Sequence, residues 1–138
     1  MLSRNILRNI LCAAALVTPL LAGAQVKPGI EVLRDGGFEG LAGKRVGLLT
    51  NPSGVDRKLK TTIDILAENV NLVALYAPEH GVRGDIWAGG KVESGKDAAT
   101  GLPVYSLYGA TRQATPEMLK DIDILVYDIQ DVQQKYPC

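Results

Sequence analysis

Short apolar runs, three of the four closed by asparagine, proline or glycine, set the rhythm of the chain. Residues 45–50 (RVGLLT), 72–76 (LVALY), 104–108 (VYSLY) and 124–129 (ILVYDI) are such runs. They lack strict alternation of polar and apolar positions, so they read as strands covered on both faces, as in parallel sheets. Between the first two, Leu59, Ile63 and Leu66 recur at helical spacing, with Asp56 expected as the N-cap and the helix running to about Glu68. Strand, helix, strand at this length is a βαβ unit. Residues 30–35 predict a brief helix closed by Gly36 and Gly37, and residues 38–44 a connection. Thr115-Pro116-Glu117 has the order cap, proline, acid that starts a helix, with Met118, Leu119 and Ile122 placed to face the sheet. The run at 124–129 is then the third core strand. Residues 85–101 are glycine-rich and charged with no period, and Trp87 within them is expected to be exposed. The fold class is α/β: a Rossmann-like three-layer domain with a mainly parallel sheet.

The first 24 residues follow a different pattern. Arg4 and Arg8 form a basic start with no acid, residues 11–21 are apolar but short for a bilayer span, and Ala22-Gly23-Ala24 has the form of a signal-peptidase site. The expectation is a signal peptide at 1–24, Gln25 as the first mature residue, a periplasmic or secreted protein, and no stable membrane association after cleavage. Cleavage removes both arginines, leaving 13 basic residues against 15 acidic ones, and removes Cys12, leaving Cys138 alone. One cysteine forms no internal disulfide, so the domain depends on its packed core. The balanced charge gives no electrostatic case for nucleic acid, and 5% aromatic residues make a poor base-stacking platform.

The chemistry gathers where strands end. The first strand leads into Asn51 and Ser53, the second into Glu79, His80 and Arg83, and the third into Asp128, Gln130 and Asp131. If the three strands are parallel neighbours, these loops share the crevice at the carboxyl edge of the sheet. Carboxylates from two loops beside an arginine suit acid/base work on a polar substrate, because neighbours split carboxyl pKa values apart. Each residue also has a plainer use. Glu79 and His80 fit a solvated turn, Asn51 and Ser53 a shaped one, and Asp128 a cap. One histidine with scattered acids is too few ligands for a metal site, and neither glycine-rich phosphate-binding pattern occurs, so no metal or cofactor is expected.

Four blocks carry a resemblance. Residues 47–54 (GLLTNPSG), 77–84 (APEHGVRG), 104–109 (VYSLYG) and 123–131 (DILVYDIQD) occur in this order. Together they resemble the bacterial exo-β-N-acetylmuramidases, long known as a domain of unknown function. The resemblance implies an exo-acting glycoside hydrolase of cell-wall recycling that releases N-acetylmuramic acid from non-reducing ends of peptidoglycan fragments. It implies a Rossmann-like domain followed by a smaller one, with the active site between them. Glu79 matches the family's glutamate and is expected as the catalytic acid, with Asp128 as the second catalytic carboxylate. Asn51, Ser53, His80, Arg83 and Gln130 are expected to bind substrate, Arg83 by gripping the lactyl carboxylate. Residues 25–132 correspond to the amino-terminal part of the family's chain, and residues 133–138 depart from it as an aberrant tail, expected from a frameshift or a truncated gene. A sheet cut at this point is expected to fold poorly and associate through its edge. The reading from a different class is a non-catalytic periplasmic sugar-binding module. A receiver-like signalling domain fits the sheet but not the export signal.

Overall fold

The structure, a computed structural model, describes residues 26–85, 87, 90 and 94–129. The expected signal peptide and first mature residue (1–25), Gln130, Asp131 and the rest of the expected tail lie outside the described residues. Five strands form one sheet: β1 (Val46–Thr50), β2 (Leu72–Ala77), β3 (Gly95–Lys96), β4 (Pro103–Ser106) and β5 (Ile124–Asp128), in the order β3-β4-β2-β1-β5. All pairings are parallel except β3 with β4. The expected mainly parallel α/β sheet is present. Pro78 ends β2 as anticipated, since it brings no N–H to the ladder.

The two faces of the sheet differ. Side chains alternate along a strand, so Val46 and Leu48 share one face with Leu75, Ala77 and Val104. These belong to one core with Ile30 of α1 (Gly29–Asp35) and Ile63 and Leu66 of α2 (Thr62–Asn69). Phe38 and Leu41 complete it from the connection, which contains a short 3-10 turn at Glu39–Leu41. On the opposite face the rings of Tyr76 and Tyr105 lie 5.6 Å apart. Ile122 packs over Gly47 there, and the Tyr76 hydroxyl donates to the Met118 carbonyl at 2.6 Å. Burial pushes the Tyr76 phenol up to about 12. Met118 lies in α3 (Pro116–Leu119), whose start is the expected one, with the Thr115 hydroxyl accepting from the Met118 amide.

Two expectations need correction. The helix between β1 and β2 starts at Thr62, not near Asp56, and its N-cap is Thr61, whose hydroxyl accepts from the Asp64 amide. Asp56 instead is buried in the preceding loop and accepts from the Lys58 and Lys60 amides and from Arg34 of α1. A neighbouring contact, from Arg57 to the buried Glu31, clamps α1 onto the same loop. Leu59 therefore leaves the helical face, sits at φ 63° and is 78% exposed. Second, β5 is covered on one face only: Ile124 and Val126 pack against the core. It occupies the edge beyond β1, with Leu125 and Tyr127 exposed on the tyrosine-bearing face.

Candidate functional site

The chain lays down β1, β2 and β4 in one direction, then returns to place β5 on the other side of β1. The strand order thus reverses between β1 and β5, and in open α/β sheets ligands bind outside the carboxyl ends at such a point. Thr50, the last residue of β1, stands in register with Asp128, the last of β5. Its hydroxyl donates to the Asp128 carbonyl at 2.8 Å. The chain then turns sharply through 51–54. The Asn51 side-chain oxygen accepts from the Ser53 amide at 2.9 Å and the Ser53 hydroxyl at 2.5 Å, and the Gly54 amide closes the turn on the Asn51 carbonyl. Gly54 is required by close approach: a Cβ there would lie 2.3 Å from the Thr50 hydroxyl and 3.1 Å from the Asp128 carbonyl oxygen.

Beside it, β2 delivers the loop carrying Glu79. The Gly81 amide donates to the Pro78 carbonyl, so Pro78 to Gly81 is a tight turn with Glu79 and His80 at its middle. Glu79 is half-buried and His80 exposed. His80 has φ 71°, a left-handed conformation that costs a bulky side chain and is found disproportionately at functional sites. Gly84, at φ 78°, brings this loop against the β1 turn, and a Cβ on it would lie 2.8 Å from Pro52. The turns after β1 and β2 are therefore in contact.

The first turn of α2 ties the outer residues of this edge. The Thr62 hydroxyl donates to the Asp128 carboxylate at 2.5 Å. Two residues on, Asp64 accepts from Arg83 at 2.9 Å. Arg83 is expected from the sequence as a substrate ligand. In the structure its guanidinium grips Asp97 from Nε at 2.6 Å and from Nη2 at 2.9 Å, in addition to Asp64. The Arg83 contact holds the Asp97 carboxyl down at about 2, helped by the hydroxyl and amide of Thr100. Asp64 is lowered by the same guanidinium.

Two concavities flank the edge. A cleft of about 280 Å³ is lined by Ala77, Val82, Arg83, Lys96, Asp97 and Val104, among others. A smaller one of about 190 Å³ is lined by Asp128, Thr62 and Tyr127 together with residues of α1. The structure therefore gathers Asn51, Ser53, Glu79, His80, Arg83 and Asp128 on one edge, with Arg83 and Asp128 in separate cavities. Gln130 lies outside the described residues. Sequence reasoning missed Asp64, Asp97 and Thr62. Asp97 had a local signal, the Asp-x-x-Thr spacing of a self-bonded turn, but its arginine lies 14 positions away. Among the described residues no group of three or more His, Cys, Asp or Glu could hold a metal ion. No helix among them is long and apolar enough to cross a membrane.

These features define a class: an α/β domain of the doubly wound kind, with acid, imidazole and amide groups on loops at its switch point. The chain belongs to the family described as exo-beta-N-acetylmuramidase NamZ, N-terminal, which it matches over residues 46–136. It is 54% identical over 114 residues to the peptidoglycan beta-N-acetylmuramidase NamZ of Bacillus subtilis (strain 168), covering 81% of this chain and 28% of that protein. Two crystal structures of DUF1343 family proteins from Bacteroides fragilis NCTC 9343 share the fold. One is 68% identical with a TM-score of 0.69, over 77% of this chain and 26% of its own. The other is 36% identical with a TM-score of 0.60, over 79% and 27%. The chain spans about a quarter of the length of each of these relatives.

Proposed function

We propose that this chain is the amino-terminal part, residues 25–132, of a glycoside hydrolase that releases N-acetylmuramic acid from non-reducing ends of peptidoglycan fragments. The observation that carries the reading is Glu79, held half-buried in a tight turn at the carboxyl end of β2, in a chain belonging to a muramidase family. Glu79 protonates the glycosidic oxygen as the sugar leaves. Further chain or substrate lying over this edge would exclude water from the turn that holds it. Asp128 is the second carboxylate. Asn51, Ser53, His80 and Gln130 contribute hydrogen bonds to a muramyl saccharide lying along the edge. With Asp97 and Asp64 occupying the guanidinium, Arg83 serves the site from behind. The protein works in the periplasm or outside the cell after cleavage at Ala24, and amino-terminal sequencing of exported material is expected to begin at Gln25. A chain retaining Met1 in the cytoplasm overturns the export reading.

The test is hydrolysis of an unactivated muramyl saccharide and of an aryl muramide with a good leaving group, by a full-length family member carrying this domain and by its Glu79→Gln variant. General acid catalysis is typically worth about 10²–10⁴-fold, so the variant is expected to lose that much kcat on the unactivated substrate and less on the aryl one. Equal losses on both, or none, move the acid's role to Asp128. Saccharide binding without turnover by the unsubstituted full-length protein favours a sugar-binding module.

A further inference from the structure

Three segments far apart in sequence meet at one arginine. Arg83 is the penultimate residue of the loop from Pro78 to Gly84. Asp97 opens the turn between β3 and β4, and Asp64 sits in the first turn of α2. Each segment is fixed by its own hydrogen bonds. Asp97 accepts from the Thr100 hydroxyl and amide and is bonded to the β3–β4 turn through its own amide and carbonyl. Asp64 donates its amide to the cap residue Thr61. Arg83 is a long side chain on a loop whose Gly81 and Gly84 both have positive φ, a conformation glycine takes without steric cost.

We propose that the Arg83–Asp97–Asp64 cluster is a brace that positions the Glu79 carboxylate, clamping the Pro78–Gly84 loop to the two rigid turns on either side of it. The inference rests on the reading above only for what Glu79 does; the clamping stands on its own. The geometry favours a brace over a chance surface pair. Asp97 is buried, and the guanidinium meets it through two parallel contacts, the fork arrangement that fixes direction as well as distance. The third contact, to Asp64, comes from a different element, so the loop is held against both translation and rotation. The depressed Asp97 carboxyl keeps the clamp charged throughout the range in which a glycosidase works. Arg83 follows Glu79 by four positions and the close of its tight turn at Gly81 by two, so release of the clamp reaches the acid directly. Lysine cannot substitute, because its ammonium is a point charge without the planar fork.

The test is backbone 15N relaxation on the full chain and on Asp97→Asn, Arg83→Lys and Asp64→Asn variants. In the unsubstituted chain the amides of 79–84 are expected to show order parameters near those of rigid backbone, about 0.85. In Asp97→Asn and Arg83→Lys they are expected to fall below about 0.6 while those of β1 and β2 stay unchanged, with a smaller fall in Asp64→Asn. Failure of Arg83→Lys to keep the loop rigid is the signature of the fork. Unchanged values in the first two variants overturn the brace. So does an equal fall throughout the sheet, or loss of the fold in all three, because a positioning group costs the loop before the sheet. A rigid loop that melts as expected, in a chain indifferent to Glu79→Gln, leaves the brace standing and removes only the general-acid role.

Discussion

At the scale of residues, the carboxylates divide by their partners. Asp97 has its carboxyl lowered from an ordinary 3.8 to about 2 by Arg83, and Asp123 is brought to about 2 by Arg45. A carboxyl lowered by folding contributes stability that is complete above its unfolded pKa and is lost as pH falls through the folded value. The contribution of Asp97 is therefore expected to fade between about pH 4 and pH 2. Urea unfolding at a series of pH values is expected to show Asp97→Asn less stable at neutral pH, with the gap to the unsubstituted chain closing over that window. A constant gap would mean that Asp97 acts through packing instead. Arg83 was legible as a residue of the loop after β2 but not as a clamped one. Its partners lie 14 and 19 positions away, on elements whose own patterns say nothing of an arginine. Glu79 was legible from its neighbours, because proline and glycine around an acid after an apolar run specify a turn at a strand end.

At the scale of elements, apolar runs and caps were legible and the helix boundary was not. Asp56, followed by a polar stretch and an apolar residue at helical spacing, has the local look of a cap. Burial beneath α1, with two amides and Arg34 to accept from, gives it a loop to organise instead. The threonine and the aspartate can be told apart by substitution. Thr61→Ala removes the true cap and is expected to cost about 1 kcal/mol. Asp56→Ala strips the acceptor from two backbone amides in a buried loop, and its cost is expected to exceed that of Thr61→Ala. Guanidinium unfolding of the two variants ranks them, and the reverse order would restore Asp56 as the helix start. The β3 strand escaped detection for a simpler reason: Gly95 and Lys96 carry no apolar pattern and pair only because β4 offers an edge.

For the whole molecule, the sheet has one finished face and one partly covered. The face bearing Val46, Leu48 and Leu75 is closed by α1 and α2. The other is covered near Tyr76 and Gly47, but Leu125 and Tyr127 on β5 remain 43% and 63% exposed. Strand edges with apolar neighbours invite association. Sedimentation of the chain is expected to show self-association, and a Leu125→Lys, Tyr127→Lys double variant is expected to be monomeric with little change in stability. Association unaltered by both lysines would place the contact elsewhere. The α/β class and the parallel βαβ unit were legible from the runs alone. That β5 takes an edge was not, because its first four residues, ILVY, have the apolar look of a strand covered on both sides, and only the strand order reveals which side is open.

The place of β5 also has a consequence in time. β1 meets β2 across a short helical connection, but it meets β5 through contacts such as Arg45 with Asp123 and Thr50 with Asp128, each spanning 78 positions. Closing a long loop costs more entropy than closing a short one, and nothing is gained until it shuts. Formation of β1–β2–β4 is favoured first, and β5 docks onto a waiting edge. The Thr62–Asp128 and Thr50–Asp128 bonds at the crevice thus complete with that final step. The proposed site comes into being last, and a chain arrested before it would carry the Glu79 turn without the wall that faces it.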